Sequence, residues 1–374
     1  MSENTTPSQD PNENSMRRLR RFVAQHRKWL TGLGLVALLL LVVLYVREFI
    51  SGTIFTRYAI IACIILVLAF LLDNEGGVPE KSEPGETPKK KVNWFAELRG
   101  LALMLLGVLA FHTLVAKPFY IPSASMMPNL LVGDRLIVTK YPYGWSWVSA
   151  SFHVLPRADW RIWPKDPEYG DMVIAVPPDR AEDYIKRVVA LPGDRIAMVR
   201  GQIILNGEPV PQEVEPPVRL PEDEQVCEGR MCLDDFWQYR TRLPDGRVVY
   251  EPPTRRETLP NGASYLIIDH TTSPRDNFPE TLVPEGHVFL MGDNRDHSAD
   301  SRFPAKPEGN GLGGPVPISS IGGRAEIITF SLDGSTTWNP ATWFEALRPD
   351  RAWTTLRPEL RGPPRESGGA NGRD

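Results

Sequence analysis

The sequence predicts a mainly β protein: an antiparallel sheet with an inserted β-rich subdomain, preceded by two to three transmembrane helices. Three observations predict it. Apolar residues concentrate in long runs before about residue 116. After Ala116 the pattern changes to short β-like stretches separated by Gly-Asp and Pro turns. Proline is abundant, 36 of 374 residues, and clusters in the second half, which suits short strands and loops better than helices.

The runs come first in the chain. Trp29 to Val46 is uncharged and rich in Leu and Val, Tyr58 to Leu72 is a second run, and Gly100 to Ala116 a third. A bilayer span needs about 20 residues, with a lower limit of about 17. The first and third qualify. The second needs Ser51 to Thr56 as well, or a snorkelling Arg57. No small-x-small cleavage site closes the first run, and further runs follow it, so it does not read as a cleaved leader. Arg17, Arg18, Arg20, Arg21, Arg27 and Lys28 precede the first run, and Lys81, Lys89, Lys90, Lys91 and Arg99 lie between the second and third. Only Arg47 and Arg57 separate the first and second. The positive-inside rule therefore puts residues 1–28 and the linker 73–99 in the cytoplasm, and everything after Lys117 on the far side.

Beyond the anchor (29–72 and 100–116), the expected catalytic β domain is 117–206 plus 263–332. Its candidate strands are Arg135 to Lys140, Met172 to Val176, Tyr184 to Ala190, Arg195 to Val199, Ile203 to Leu205, Ser264 to Ile268, His287 to Met291 and Arg324 to Phe330. Gly133-Asp134, Gly170-Asp171, Gly193-Asp194 and Gly292-Asp293 mark strand ends, and Asn206-Gly207 is a tight-turn signal. Residues 207–262 are polar, Pro-rich and poorly periodic, and read as an insertion. Residues 333–374 form a C-terminal extension whose end, from Arg361, reads as disordered. Net charge is −4 and the basic residues are scattered after the N-terminal third, so nothing argues for a nucleic-acid partner. Cys227 and Cys232 stand close together with no second ligand pair for a metal, which leaves a local disulfide or two free thiols.

Three blocks carry chemistry. In Pro118-Phe-Tyr-Ile-Pro-Ser-Ala-Ser-Met-Met-Pro-Asn-Leu130, Ser123 and Ser125 are two apart and face the same way if the segment is extended. One can attack while the other donates to a developing oxyanion. In Asp183-Tyr-Ile-Lys-Arg-Val-Val-Ala-Leu-Pro-Gly-Asp194, alternation puts Lys186 on a face with Tyr184 and Val188, where desolvation lowers an amine's pKa. A neutral amine is a suitable base for a serine. The opposite phase, with Arg187 inside and Lys186 in solvent, is equally compatible with alternation. In Gly292-Asp-Asn-Arg-Asp-His-Ser-Ala-Asp-Ser-Arg302, small polar residues can orient an amine, and Asp300 has Arg302 or Arg295 as a partner. Gly-x-Ser-x-Gly and Ser-x-x-Lys are missing, and no histidine sits in a triad motif.

Together and in this order, the blocks resemble the bacterial type I signal peptidases (leader peptidases), serine proteases with a Ser-Lys dyad. The resemblance covers about Phe119 to Gly144, Gly170 to Arg195 and Gly286 to Ile328. It implies Ser125 as nucleophile, Lys186 as general base and Ser123 as oxyanion donor. It implies Ser298 as the hydroxyl orienting the lysine, with Gly292 in the same supporting block. Asp300 and Arg302 match a structural ion pair, and Phe119, Ile121, Pro122, Tyr184 and Ile185 an apolar substrate pocket for small side chains. The implied activity is removal of signal peptides from exported preproteins after Ala-x-Ala, at the bacterial inner membrane and near the export translocon, with no cofactor and no metal. Another Ser-Lys peptidase with a dedicated or self substrate, or a non-enzymatic tethered scaffold, are the rival readings. Ala124, Asn129 and His297 replace the commoner Gly, Thr and Asn. The Cys227/Cys232 pair resembles a local disulfide of some relatives. Two aromatic stretches (Trp145, Trp147, Phe152, Trp160 and Trp163; Trp338, Trp343, Phe344 and Trp353) read as membrane-surface or core residues.

Overall fold

The structure is a computed structural model that describes residues 107, 110–150, 155–178, 182–223, 236–336 and 341–362. The first two apolar runs, most of the third, all three cysteines and the tail beyond Gly362 lie outside them. Among the described residues no helix is long and apolar enough to cross a membrane. The chain divides into two compact units at Ala110, and the fold described is that of the second.

Six strands make the main sheet: β1 (Ala116–Tyr120), β2 (Asp134–Thr139), β3 (Met172–Ala175), β4 (Tyr184–Ala190), β5 (His287–Met291) and β6 (Ile321–Ser331). They run in the order β1-β2-β6-β3-β4-β5, all neighbours antiparallel. Val316–Pro317 closes the β5 edge, and Thr354–Thr355 adds to β6. Ala116, read from sequence as the last residue of the third run, instead begins β1.

The sheet buries both faces, as alternation along β3 makes plain. Met172 and Ile174 join one apolar cluster with Ile121, Met126, Leu136, Val138 and Ile185, while Val173 and Ala175 join another with Val188, Leu290 and Ile321. A strand covered on both sides carries continuous apolar sequence. This settles the phase of β4, which alternation left open. Lys186 is 4% exposed and Arg187 1%, so each points into a different buried layer and neither reaches solvent.

The inserted region, expected to be β-rich though poorly periodic, carries short strands among its described residues. Gln212–Glu215, Thr254–Thr258, Ala263–Ile268 and Glu359–Leu360 form one sheet; Leu220–Pro221, Val248–Tyr250 and Arg240–Arg242 form another. Gln212–Glu215 has no apolar alternation because ion pairs and polar contacts hold it, Arg256 to Glu215 at 2.5 Å among them. The C-terminal extension likewise supplies strands to two sheets. The Asn206-Gly207 turn is as expected: φ is 54° and 86°, and Leu205 pairs with Glu208 across it.

Glu257, from the inserted region, is fully buried and pairs with buried Arg295 through both carboxylate oxygens. Tyr265 and Gln212 donate to the same carboxylate at 3.0 and 2.8 Å. Removing one partner of such a pair strands a charge in the core. Glu257→Ala is therefore expected to lower the unfolding free energy by about 3–5 kcal/mol, read by urea titration of tryptophan fluorescence.

Candidate active site

The serine block forms a compact turn after β1. Met127 N–H donates to Ala124 O (3.1 Å) and Leu130 N–H to Met126 O (2.9 Å), while Met126, Met127 and Leu130 are buried. Asp134, at the start of β2, accepts from Leu131 N–H at 2.8 Å and is gripped by Arg351 at 2.6 Å. Arg351 also donates to Asn129 O (2.9 Å). Ala124, Met127 and Leu131 pack on Leu220, Phe236 and Tyr250, so the inserted region forms one wall of this turn.

Ser125 and Lys186, 61 residues apart, meet inside the protein. The lysine amine donates to Ser125 Oγ at 2.8 Å and to Ile185 O at 3.0 Å. Burial lowers the Lys186 pKa to about 8; the charges of Asp300 and Asp293 oppose that, and Arg302 adds to it. An amine so placed is partly neutral near neutral pH, which an exposed lysine is not.

The Gly292 block closes the site from above. Asn294 N–H donates to Ser125 O at 3.2 Å, and its side-chain amide to Ala124 O at 3.2 Å. Asp300 pairs with Arg302 at 2.9 Å and accepts from Gly292 N–H at 3.0 Å. Burial pushes the Asp300 carboxyl up, but Arg302 and these N–H donors hold it below its ordinary value. Gly292 sits so close that a side chain there would clash with Ser298 and with the carbonyl of Ser125. The hydroxyl of Ser298, to which the resemblance assigns the orienting of the lysine, is buried and makes no hydrogen bond among the described residues. Ile185 O takes the second bond of the amine instead.

Phe119, Ile121 and Ile185 share one apolar cluster. Tyr184 lies on the other face of β4, its ring 5.4 Å from the Lys186 amine. Pro122 and Ser123 are exposed at the mouth of the turn.

Sequence reasoning missed the pair that joins the blocks. Arg187 donates to both oxygens of Asp293, at 2.7 and 2.6 Å, and to Gly170 O at 2.7 Å. Asp293 also accepts from Asn129 of the serine block at 2.7 Å. The signal was present in outline for two of the blocks: Arg187 stands beside Lys186 and Asp293 beside Gly292. The aromatic stretches divide. Trp147 is core, Trp160, Trp163, Trp343, Phe344 and Trp353 are exposed, and Phe152 and Trp338 lie outside the described residues.

A family model described as signal peptidase, peptidase S26 matches residues 93–330. The chain belongs to that family. Signal peptidase I of Rickettsia typhi is 31% identical over 65% of this chain and 81% of its own length. That of Rickettsia canadensis is 31% identical over 70% of this chain and 92% of its own. A solved signal peptidase I from Enterococcus faecalis V583 is 18% identical over 43% of this chain and 97% of its own, with a TM-score of 0.22. As a member of the peptidase S26 family the chain is a serine peptidase, a hydrolase.

The contact between Gly292 and the Ser125 carbonyl makes a sharp prediction for this peptidase. Gly292→Ala is expected to displace the serine turn and lower kcat/KM by ~10²-fold, with a cooperative thermal melt retained.

Proposed function

We propose that this protein removes signal peptides from exported preproteins after a small-x-small sequence such as Ala-x-Ala, with Ser125 as nucleophile and Lys186 as general base. The observation that carries the reading is the 2.8 Å bond from a buried lysine amine to a serine hydroxyl. Neutral Lys186 takes the proton of Ser125 as Oγ attacks the carbonyl carbon. The oxyanion is met by Ser123 Oγ and the Ser125 N–H. The amine, now charged, protonates the leaving nitrogen, and the bond to the mature chain breaks. Lys186 then deprotonates a water that hydrolyses the acyl-enzyme.

Two strand edges without a partner strand among the described residues suit an extended substrate. β1 is the sheet's outer strand, and β5 pairs with β4 only from Arg187 onward, leaving residues 184–186 with a strand on one side. A peptide laid between them gains main-chain hydrogen bonds while its side chains alternate into the wall of Phe119, Ile121 and Ile185. The apolar runs before residue 116 anchor the enzyme in the bacterial inner membrane, with the catalytic domain outside the cytoplasm. Anchoring raises the effective concentration of a substrate whose own leader lies in the bilayer. Exposed Trp160, Trp163, Trp343 and Trp353 suit the lipid surface.

A preprotein with an Ala-x-Ala site is the test substrate. Ser125→Ala and Lys186→Met are each expected to reduce cleavage to background; a wild-type rate in either would end the dyad reading. The amine must be neutral to act, and its pKa is lowered to about 8. Activity is thus lost as pH falls: kcat/KM should rise about tenfold per pH unit below that value and level off above it.

A further inference from the structure

The dyad leaves a second buried lysine unused. Lys140 follows β2, its N–H donating to Val115 O at 2.8 Å, and it is 4% exposed. Among the described residues its amine has no hydrogen-bond acceptor. Nζ lies 5.9 Å from the centre of the Phe119 ring and beside Gly322, where a side chain would come within 3.5 Å of it. Lys117 sits over the same ring at 4.7 Å and reaches across to Asp183 at 3.8 Å. That ion pair bridges β1 and the start of β4, the two strands whose free edges flank the proposed cleft. Burial, then the nearby charge of Lys117, lower the Lys140 pKa to about 8, and Asp183 opposes them.

The position of this cluster follows from strand geometry. Asp183 is three residues before Lys186, roughly 10 Å along an extended chain. A peptide attacked by Ser125, with the residue before the cut bond beside Lys186 and running along the free edge of β4, passes the cluster at the fourth residue before that bond. A main-chain carbonyl is present there in every substrate, whatever its side chains. It is a dipole, so it needs no counter-charge in a site where Lys117 and Asp183 already balance.

We propose that Lys140 is a substrate-binding residue whose amine donates to a main-chain carbonyl of the bound peptide, that of the fourth residue upstream of the cut, under the Lys117–Asp183 bridge. The inference rests on the peptidase reading and extends it beyond the pocket of Phe119, Ile121 and Ile185. It makes the enzyme measure the length of chain before the cleavage site as well as the small residues at it.

The test uses the full-length protein in detergent and two peptides cut at the same bond. One begins well upstream, and the other begins three residues before the bond. Wild type is expected to prefer the longer peptide through KM. In Lys140→Met that preference should shrink about tenfold, the usual worth of a charge-assisted hydrogen bond. Lys140→Arg, which keeps the donors, should retain most of it. An unchanged preference in Lys140→Met overturns the proposal. So does a loss through kcat on both peptides, which would mark a packing role only. If wild type cuts neither peptide, the peptidase reading fails and this inference falls with it.

Discussion

A buried ion pair, Arg187 to Asp293, holds the candidate site together. Its residues are 106 positions apart, and each is the neighbour of a residue that matters. Arg187 follows Lys186; Asp293 lies between Gly292, against Ser298, and Asn294, which fastens the Ser125 carbonyl. Asn129 brings the serine block to the same carboxylate. A charge pair in a dry interior contributes little net stability, because desolvation offsets its attraction. Here its bonds fix where three segments stand relative to one another. The same dryness that makes the pair sensitive to loss keeps the Lys186 amine short of protons.

Much of the fold was legible in the sequence. Tyr184–Ala190, Arg195–Val199 and His287–Met291 match the expected strands residue for residue. They are apolar or alternating and each is bounded on one side by a Gly-Asp turn, so local chemistry alone defines them. β1 was hidden because its residues continue an apolar run and contain Pro118; its partner β2 makes it a strand. The strands of the inserted region were hidden for the opposite reason. Gln212–Glu215 and Arg240–Arg242 are polar on both faces and rely on pairing with Thr254–Thr258 and Val248–Tyr250.

The site was legible as residue types but not as geometry. Alternation offered one buried face, for Lys186 or for Arg187, whereas a strand sandwiched between two layers buries both. The partners of Arg187, Arg295 and Arg302 were ambiguous in sequence, since several carboxylates lie within reach of each. Distance in the chain decides nothing here: Arg302 takes Asp300 two residues away, and Arg295 takes Glu257 38 residues away. Asn129, noted as a departure where threonine is common, proves to be the residue through which the serine turn reaches Asp293.

Arg351 fastens the serine turn from near the other end of the chain, gripping Asp134, 217 residues earlier. Ribosomes make proteins from the N-terminus, so this clasp closes only after almost every other described segment exists. Contacts so distant in sequence form late. A nascent copy of this chain therefore carries Ser125 long before the turn around it is fastened. That order of assembly leaves the serine turn unclasped until nearly all the described strands have been made.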